Sequence, residues 1–197
     1  SGPFQSLLQK IIPSLRRIRI YSDDVCSEHG GRALGVATGF SGGIDSYSVL
    51  VDHYYSNISE RFKVTHLLFN NVGSHGTGGE RLFLERYERL LPATELLGLP
   101  FLMINSNLDA FYSKKLNFQQ THTPRNMSVA LLLQGGIGRY MYASTYNYID
   151  TFVGPTYDMA YVDTIALPLL STDTLDAFSV GSEYTRVEKT LQVAKVP

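Results

Sequence analysis

The stretch Leu34-Gly35-Val36-Ala37-Thr38-Gly39-Phe40-Ser41-Gly42-Gly43-Ile44-Asp45-Ser46 decides the fold. Its first seven residues are small and apolar, the composition of a short buried strand. The glycines after Phe40 mark a tight turn, and Asp45 to Tyr55 reads as a helix. A strand that feeds a helix through a glycine turn opens an alternating α/β domain. The same turn carries chemistry. Adjacent glycines let the backbone bend sharply and remove the Cβ atoms that would block an approaching anion. The N–H groups behind them sit at a helix N-terminus, without intrahelical acceptors and at the positive end of the dipole. Ser41 and Ser46 add hydroxyl donors. Asp45 is anomalous beside a polyanion unless a divalent cation stands between them, so a nucleotide carrying Mg²⁺ fits all these features together. The bland alternative is a tight turn with Asp45 as a helix cap.

Outward from this junction, strands and helices alternate. Val64 to Phe69 reads as a second strand and Glu80 to about Leu97 as a second helix. In that helix Phe83, Tyr87, Leu90 and Leu91 keep the helical period, while Glu85 and Arg89 suit an i,i+4 pair on the wet side. Pro92 is expected to kink or interrupt it and Gly98 to end it. Phe101 to Ile104 follows as a third strand. Thr123-Pro124 reads as a cap and first helical residue, opening a helix through Leu133 that closes at Gly135-Gly136. Arg139 to Ala143 is the fourth strand. Ile165 to Leu169 reads as a fifth, set toward an edge by Pro168. Glu183 to Val193 is the last helix. This order predicts α/β architecture with a parallel sheet, right-handed crossovers and helices on both faces, the doubly wound form. Residues 1–33 read as an N-terminal extension, with a short helix around Leu7, Leu8, Ile11 and Ile12 and an edge strand at Arg17–Tyr21. Ser22 to Arg32 reads as a loop, and residues 34–197 as the domain. The start without Met and the stop at Val196-Pro197 suit processing or cloning boundaries, with a C-terminal truncation left open.

Composition narrows the function. Across 197 residues, 17 basic against 18 acidic side chains give a net charge of −1, which argues against nucleic-acid binding by bulk charge. A hydrophobic share of 44% with 18% charged residues is globular, and no apolar run is long enough to span a membrane. Cys26 is the lone cysteine, so a Cys-rich zinc site and an internal disulfide are excluded, and a reducing, cytoplasmic setting is the default expectation. The histidines His29, His53, His66, His75 and His122 show no metal-site spacing. Neither the Walker signature nor the dinucleotide fingerprint follows the first strand.

Ser41-Gly42-Gly43-Ile44-Asp45-Ser46 resembles the SGGxDS PP-loop of the N-type ATP pyrophosphatases, the superfamily of asparagine synthetase, GMP synthetase and 7-cyano-7-deazaguanine synthase. Downstream, Leu169-Leu170-Ser171-Thr172-Asp173 and Glu183-Tyr184-Thr185-Arg186-Val187-Glu188-Lys189 are similar to a little-characterised, deazaguanine-synthase-like bacterial branch. The resemblance extends over roughly Leu34 to Lys189. It implies a five-stranded parallel sheet in order 3-2-1-4-5 of the PP-loop (HUP) type, with ligands over the carboxyl ends where the order reverses. It further implies ATP and Mg²⁺ as cofactors and cleavage between the α- and β-phosphates. In that chemistry a substrate oxygen is adenylated, pyrophosphate leaves in the loop, and a nitrogen or sulfur nucleophile displaces AMP.

Phe40, Ser41, Gly42, Gly43, Ile44, Asp45 and Ser46 are the implied pyrophosphate loop, with Asp45 on the metal. Arg186 and Lys189, three apart on a helix, match the branch motif as cations for the pyrophosphate; Glu183 and Glu188 are their alternative, solvated partners. The catalytic candidates are therefore Asp45, Arg186 and Lys189. The glycine-rich loop 70–79, with Asn71, Gly73 and His75, reads equally as a second anion loop or a mobile connection, and His75 more readily as a surface residue. Arg125, in a helix first turn where a cation opposes the dipole, is a candidate phosphate or substrate contact beside His122 and Asn126. Ser144, Tyr146 and Tyr148 lie past the fourth strand, where adenine or substrate would sit, whereas Tyr140 and Tyr142 on the strand read as core. One of Asp150, Asp158 and Asp163 is open as a second metal ligand.

The departures from the family matter as well. One cysteine cannot build the zinc site of deazaguanine synthase, and Cys26 is far from the motif for a sulfur carrier. No glutaminase domain is present, so ammonia, an amine or an ammonia-donating partner fits best. The expectation is an AMP-forming ligase or amidating enzyme acting on a small-molecule carboxylate or carbonyl substrate. A non-catalytic ATP- or AMP-binding subunit and an adenylate-dependent sulfurtransferase are the alternatives. The oligomeric state stays open, a homodimer included.

Overall fold

The computed structural model describes residues 2–24, 31–76, 78–112 and 116–196. Cys26 and His29, Thr77 of the glycine-rich loop, and most of the loop expected between Ser22 and Arg32 lie outside the described residues. Five strands, β1 (Gly35–Gly39), β2 (His66–Asn71), β3 (Phe101–Asn105), β4 (Ile137–Ala143) and β5 (Asp176–Val180), form one sheet. All pairings are parallel and the order is β3-β2-β1-β4-β5, the doubly wound arrangement the sequence predicts.

Neighbouring residues on each central strand enter opposite cores, as the two-residue pleat requires. Val36, Leu67, Met141 and Val180 face one side, where α2 (Ile44–Leu50) adds Val49 and Leu50 and α3 (Glu80–Leu97) adds Leu90 and Leu97. Ala37, Leu68, Tyr140 and Ala177 face the other, against α5 (His122–Leu132) and α6 (Asp163–Leu170). Both faces of β1 are sealed, which explains why it reads as a continuous run of small apolar residues. The N-terminal α1 (Gly2–Ile11) lays Phe4, Leu7 and Ile11 on Met159, Val162 and Ala166 at the edge of the second layer. A five-residue α4 (Leu108–Tyr112) follows β3, and α7 (Arg186–Val193) closes the described chain. No described helix is long and apolar enough to cross a membrane.

Several expectations need correction. Arg17–Tyr21 forms no strand, and Ile18, Ile20 and Tyr21 are exposed. Its alternation supplies one apolar face but no ladder partner, and strand propensity without a partner is weak. Ile165–Leu169 is not the fifth strand but lies in α6, with Pro168 near its end; the strand is Asp176–Val180. A short, wholly apolar run has no polar residues to mark a period that separates helix from strand. The cap of α5 is Thr121, so Thr123 and Pro124 lie inside its first turn, where proline's missing N–H has no helical acceptor to lose. Pro92 is carried without interrupting α3, and α2 runs on through a π-helical turn, Val51–Tyr55. Glu85 pairs not with Arg89 but with Arg81, whose Nε lies 2.9 Å away.

Candidate functional site

The strand order reverses at β1 and β4, and there the carboxyl ends of the strands open onto a cavity of about 530 Å³. Phe40, Ser41, Asp45 and Ser46 border it from the loop after β1. Leu68, Phe69 and Asn70 border it from β2, and Tyr140, Tyr142, Ala143 and Thr145 from β4 and its continuation. The loop is shaped by Gly42, whose φ of 72° is left-handed and whose missing side chain leaves room for Leu90 of α3. An added Cβ there would approach Leu90 Cδ2 to 2.6 Å. Gly43 then takes the cap position of α2 with no side-chain cap, so the helix opening is left to the backbone. The Ser46 hydroxyl donates to the Gly43 carbonyl at 2.8 Å, and the Tyr47 N–H closes the first helical bond to the same oxygen at 3.0 Å. The N–H groups of Ile44, Asp45 and Ser46 are therefore the ones without a helical acceptor.

Asp45, Lys189 and Arg186 meet at this loop across 144 residues of sequence. A capping box opens α7: the Thr185 hydroxyl accepts from the Glu188 N–H at 3.3 Å, and the Glu188 carboxylate accepts from the Thr185 N–H at 2.7 Å. Those bonds hold the Glu188 carboxyl below its ordinary pKa and occupy it at the cap, leaving Lys189 for other partners. The Lys189 side chain is buried, and its three donors reach Asp45 Oδ1 at 3.1 Å, the Ser144 carbonyl at 2.6 Å and Ser144 Oγ at 2.8 Å. Arg186 Nη1 approaches the other carboxylate oxygen, Asp45 Oδ2, at 3.6 Å from a largely exposed side chain. Ser144, expected near substrate, thus anchors the ammonium that anchors the aspartate.

Other candidates lie elsewhere. Arg125 is 1% exposed and does not border the cavity. Its Nε donates to Thr121 Oγ1 at 2.8 Å and its Nη1 to the Val72 carbonyl at 2.9 Å, with Asp109 Oδ1 at 3.5 Å. The guanidinium also lies 4.5 Å from the Tyr112 ring centre and 5.4 Å from that of Phe118. Gly73 gives way to this guanidinium, since a Cβ there would collide with it. With Asn71, whose amide donates to Asn105 Oδ1 at 2.8 Å, Gly73 borders a separate polar depression. Tyr146 stacks on Tyr161 at 4.0 Å, and neither Tyr146 nor the exposed Tyr148 borders the cavity. His75 does border it, edge-on to Phe69 and Phe83. Burial and the nearby Arg86 charge push its pKa down, so the imidazole is neutral at pH 7.

Beneath the cavity floor runs a polar chain. Tyr142, which reaches the cavity as well as the core, has its hydroxyl 2.8 Å from His122 Nδ1, and His122 Nε2 is 3.3 Å from Asp158 Oδ1. Burial pushes the Asp158 carboxyl up, but bonds from His122 and the Ala160 N–H outweigh it and the net direction is down. Asp163 accepts from Thr123 Oγ1 at 2.5 Å, and burial raises its pKa to about 6. Neither aspartate, nor Asp150, borders the cavity.

Two cavity residues escaped sequence reasoning. Arg86 and Arg89, both exposed, border the cavity from α3 alongside Leu90; the sequence pattern places Arg89 on the wet side and gives Arg86 no role. Asn70 and Asn126, joined at 3.1 Å, also border it. The only signal for the arginines was their spacing, three apart on a helix whose next residue packs on the glycine turn.

Asp45 is the one carboxylate bordering the cavity, and both its oxygens already face cations. Among the described residues no group of three His, Cys, Asp or Glu could hold a metal. A divalent cation beside Asp45 would thus find one protein carboxylate, already engaged by Lys189 and Arg186, and would need its remaining ligands from a bound molecule or water. Comparison with known protein families, curated proteins and solved structures returns no match.

Proposed function

We propose that this chain is a PP-loop ATP pyrophosphatase that binds Mg·ATP and forms AMP and pyrophosphate while adenylating a small carboxylate or carbonyl substrate. A nitrogen nucleophile then displaces AMP. The observation that carries the reading is the convergence of Lys189 and Arg186 on Asp45 of the SGGIDS turn, beside a cavity at the strand-order reversal. Backbone N–H groups after Gly43 receive the β- and γ-phosphates, with the Ser41 hydroxyl beside them. Mg²⁺ brought by the nucleotide supplies charge neutralisation next to Asp45. Lys189 fixes that carboxylate in place, and the largely exposed Arg186 meets charge that builds on the leaving pyrophosphate.

In the first step a substrate oxygen attacks the α-phosphorus, the bond to the β-phosphate oxygen breaks, and pyrophosphate leaves with the electron pair. In the second, nitrogen bonds to the activated carbon, AMP leaves with its electron pair, and the nitrogen's surplus proton passes to solvent. The chain's contribution is placement and electrostatics, which suffices for phosphoryl-transfer chemistry of this kind.

The test is incubation with Mg·ATP, an ammonium salt and a panel of small acids, with nucleotides separated by chromatography. AMP and pyrophosphate in equal amounts, lost in Asp45→Ala, support the reading. ADP as product overturns it, and tight ATP or AMP binding without turnover points to a non-catalytic binding subunit.

A further inference from the structure

We propose that Arg86 and Arg89 form a second oxyanion site in the cavity, distinct from the glycine turn, which takes a carboxylate or phosphate group. Both border the cavity from one face of α3, three residues apart. Neither has an ion-pair partner among the described residues; Arg16, Arg17, Arg19 and Arg61 share that lack, but none of those four borders the cavity. Glu85, the carboxylate one turn before Arg89, is held by Arg81. Across the cavity the only carboxylate is Asp45, and Lys189 at 3.1 Å and Arg186 at 3.6 Å already neutralise it. His75, the remaining titratable group on that wall apart from the tyrosines, has its pKa lowered by burial and by Arg86, so it adds no charge at pH 7.

The wall is thus left with two guanidinium forks and no protein anion. Guanidinium forks match the paired oxygens of carboxylates and phosphates. Their position relates them to the proposed chemistry, because Leu90, next to Arg89 and one turn beyond Arg86, packs on Gly42 of the glycine turn. An oxyanion held there lies beside whatever the turn binds. Two sources have this chemistry: a carboxylate of an anionic acceptor, or the terminal phosphate of the nucleotide. Assigning the source rests on the ATP reading above; the anion site itself does not.

The experiment is calorimetric titration of the full chain with two probes, succinate and α,β-methylene-ATP with Mg²⁺. The proteins are wild type, the double variant Arg86→Gln/Arg89→Gln, and Arg81→Gln as a charge control on the same helix. The double variant is expected to weaken at least one probe by about tenfold or more, with Arg81→Gln near wild type. Loss of succinate alone assigns the pair to an anionic acceptor; loss of the nucleotide analogue assigns it to phosphate. The proposal is overturned if the double variant weakens neither probe, if Arg81→Gln loses as much, or if wild type binds neither. Wild type that binds succinate but not the analogue overturns the ATP reading, while the succinate series still decides the arginine pair.

Discussion

Lys189 and Arg125 are each 1% exposed and neither borders the cavity, yet one holds a cavity residue and the other the scaffold. Arg125 spends its donors on a threonine hydroxyl and a backbone carbonyl, between two aromatic rings and behind a partly exposed Asp109. Lys189 spends one of its donors on Asp45, a carboxylate that faces the cavity. Burial alone does not separate a strut from a site residue. What separates them is whether the acceptor is closed in by protein or still open to a ligand.

The contrast is broken most severely at Arg125. Replacing it with Met takes the donor from the buried Val72 carbonyl and from Thr121 Oγ1, and a buried acceptor left without its donor costs about 1–3 kcal/mol. Urea unfolding of Arg125→Met measures this directly. A loss below about 1 kcal/mol would remove Arg125 from the scaffold and return it to the candidates for ligand contact.

The scaffold side also has a pH signature. Asp163 has a pKa raised by burial to about 6, against 3.8 for the ordinary group. Between those values the native state holds a proton that the unfolded chain has released. The stability tied to Asp163 is therefore full below the lower value and is lost as pH rises through the upper one. The loss amounts to roughly 3 kcal/mol at most. Asp163→Asn should unfold like wild type at acid pH and be the more stable protein above neutrality. Parallel stability–pH curves for the two proteins would show that Asp163 is ionised throughout.

On the cavity side, Asp45 and Lys189 should be energetically coupled. The double-mutant cycle of Asp45→Asn and Lys189→Met is expected to give a coupling of about 1–3 kcal/mol. The Lys189→Met single variant suffers more than Asp45→Asn, because it also deprives both Ser144 oxygens of a donor. Additive losses would mean that Lys189 serves Ser144 alone and leaves Asp45 unheld.

How much of this is readable in the sequence depends on how local the physics is. The β1–α2 junction and α3 from Glu80 to Leu97 come from neighbouring residues: glycines that permit the turn, a helical period and a terminating Gly98. The apolar run at Ile165–Leu169 lacks a period, so only its packing against the second layer settles it as helix. The pairing of Arg186 and Lys189 with the loop rests on resemblance, since nothing local connects either to Asp45, which for Lys189 lies 144 residues away. Arg86 and Arg89 were invisible because Glu85 offers Arg89 and Arg81 equal spacing, and only the folded helix shows which it takes. Arg125 was misjudged for the same reason. Its acceptor at Val72 is 53 residues away, and a cation in a first helical turn looks unpartnered until that carbonyl arrives.

Arg186 sharpens the comparison by the smallest effect on folding. Its side chain is 71% exposed, and its 3.6 Å approach to Asp45 Oδ2 is an ion pair without hydrogen-bond distance. Such pairs contribute about 0–1 kcal/mol and fade with salt, so Arg186→Gln should unfold almost as wild type does. A ligand phosphate changes the balance, because it adds negative charge where Asp45 is already compensated by Lys189. Titration with inorganic pyrophosphate should therefore show weaker binding to Arg186→Gln, by roughly a factor of ten at low salt and less as salt rises. A variant that loses stability but not pyrophosphate would place Arg186 with Arg125, as part of the frame. A variant that keeps its stability and loses pyrophosphate marks the open side of Asp45 as the place where ligand charge is met.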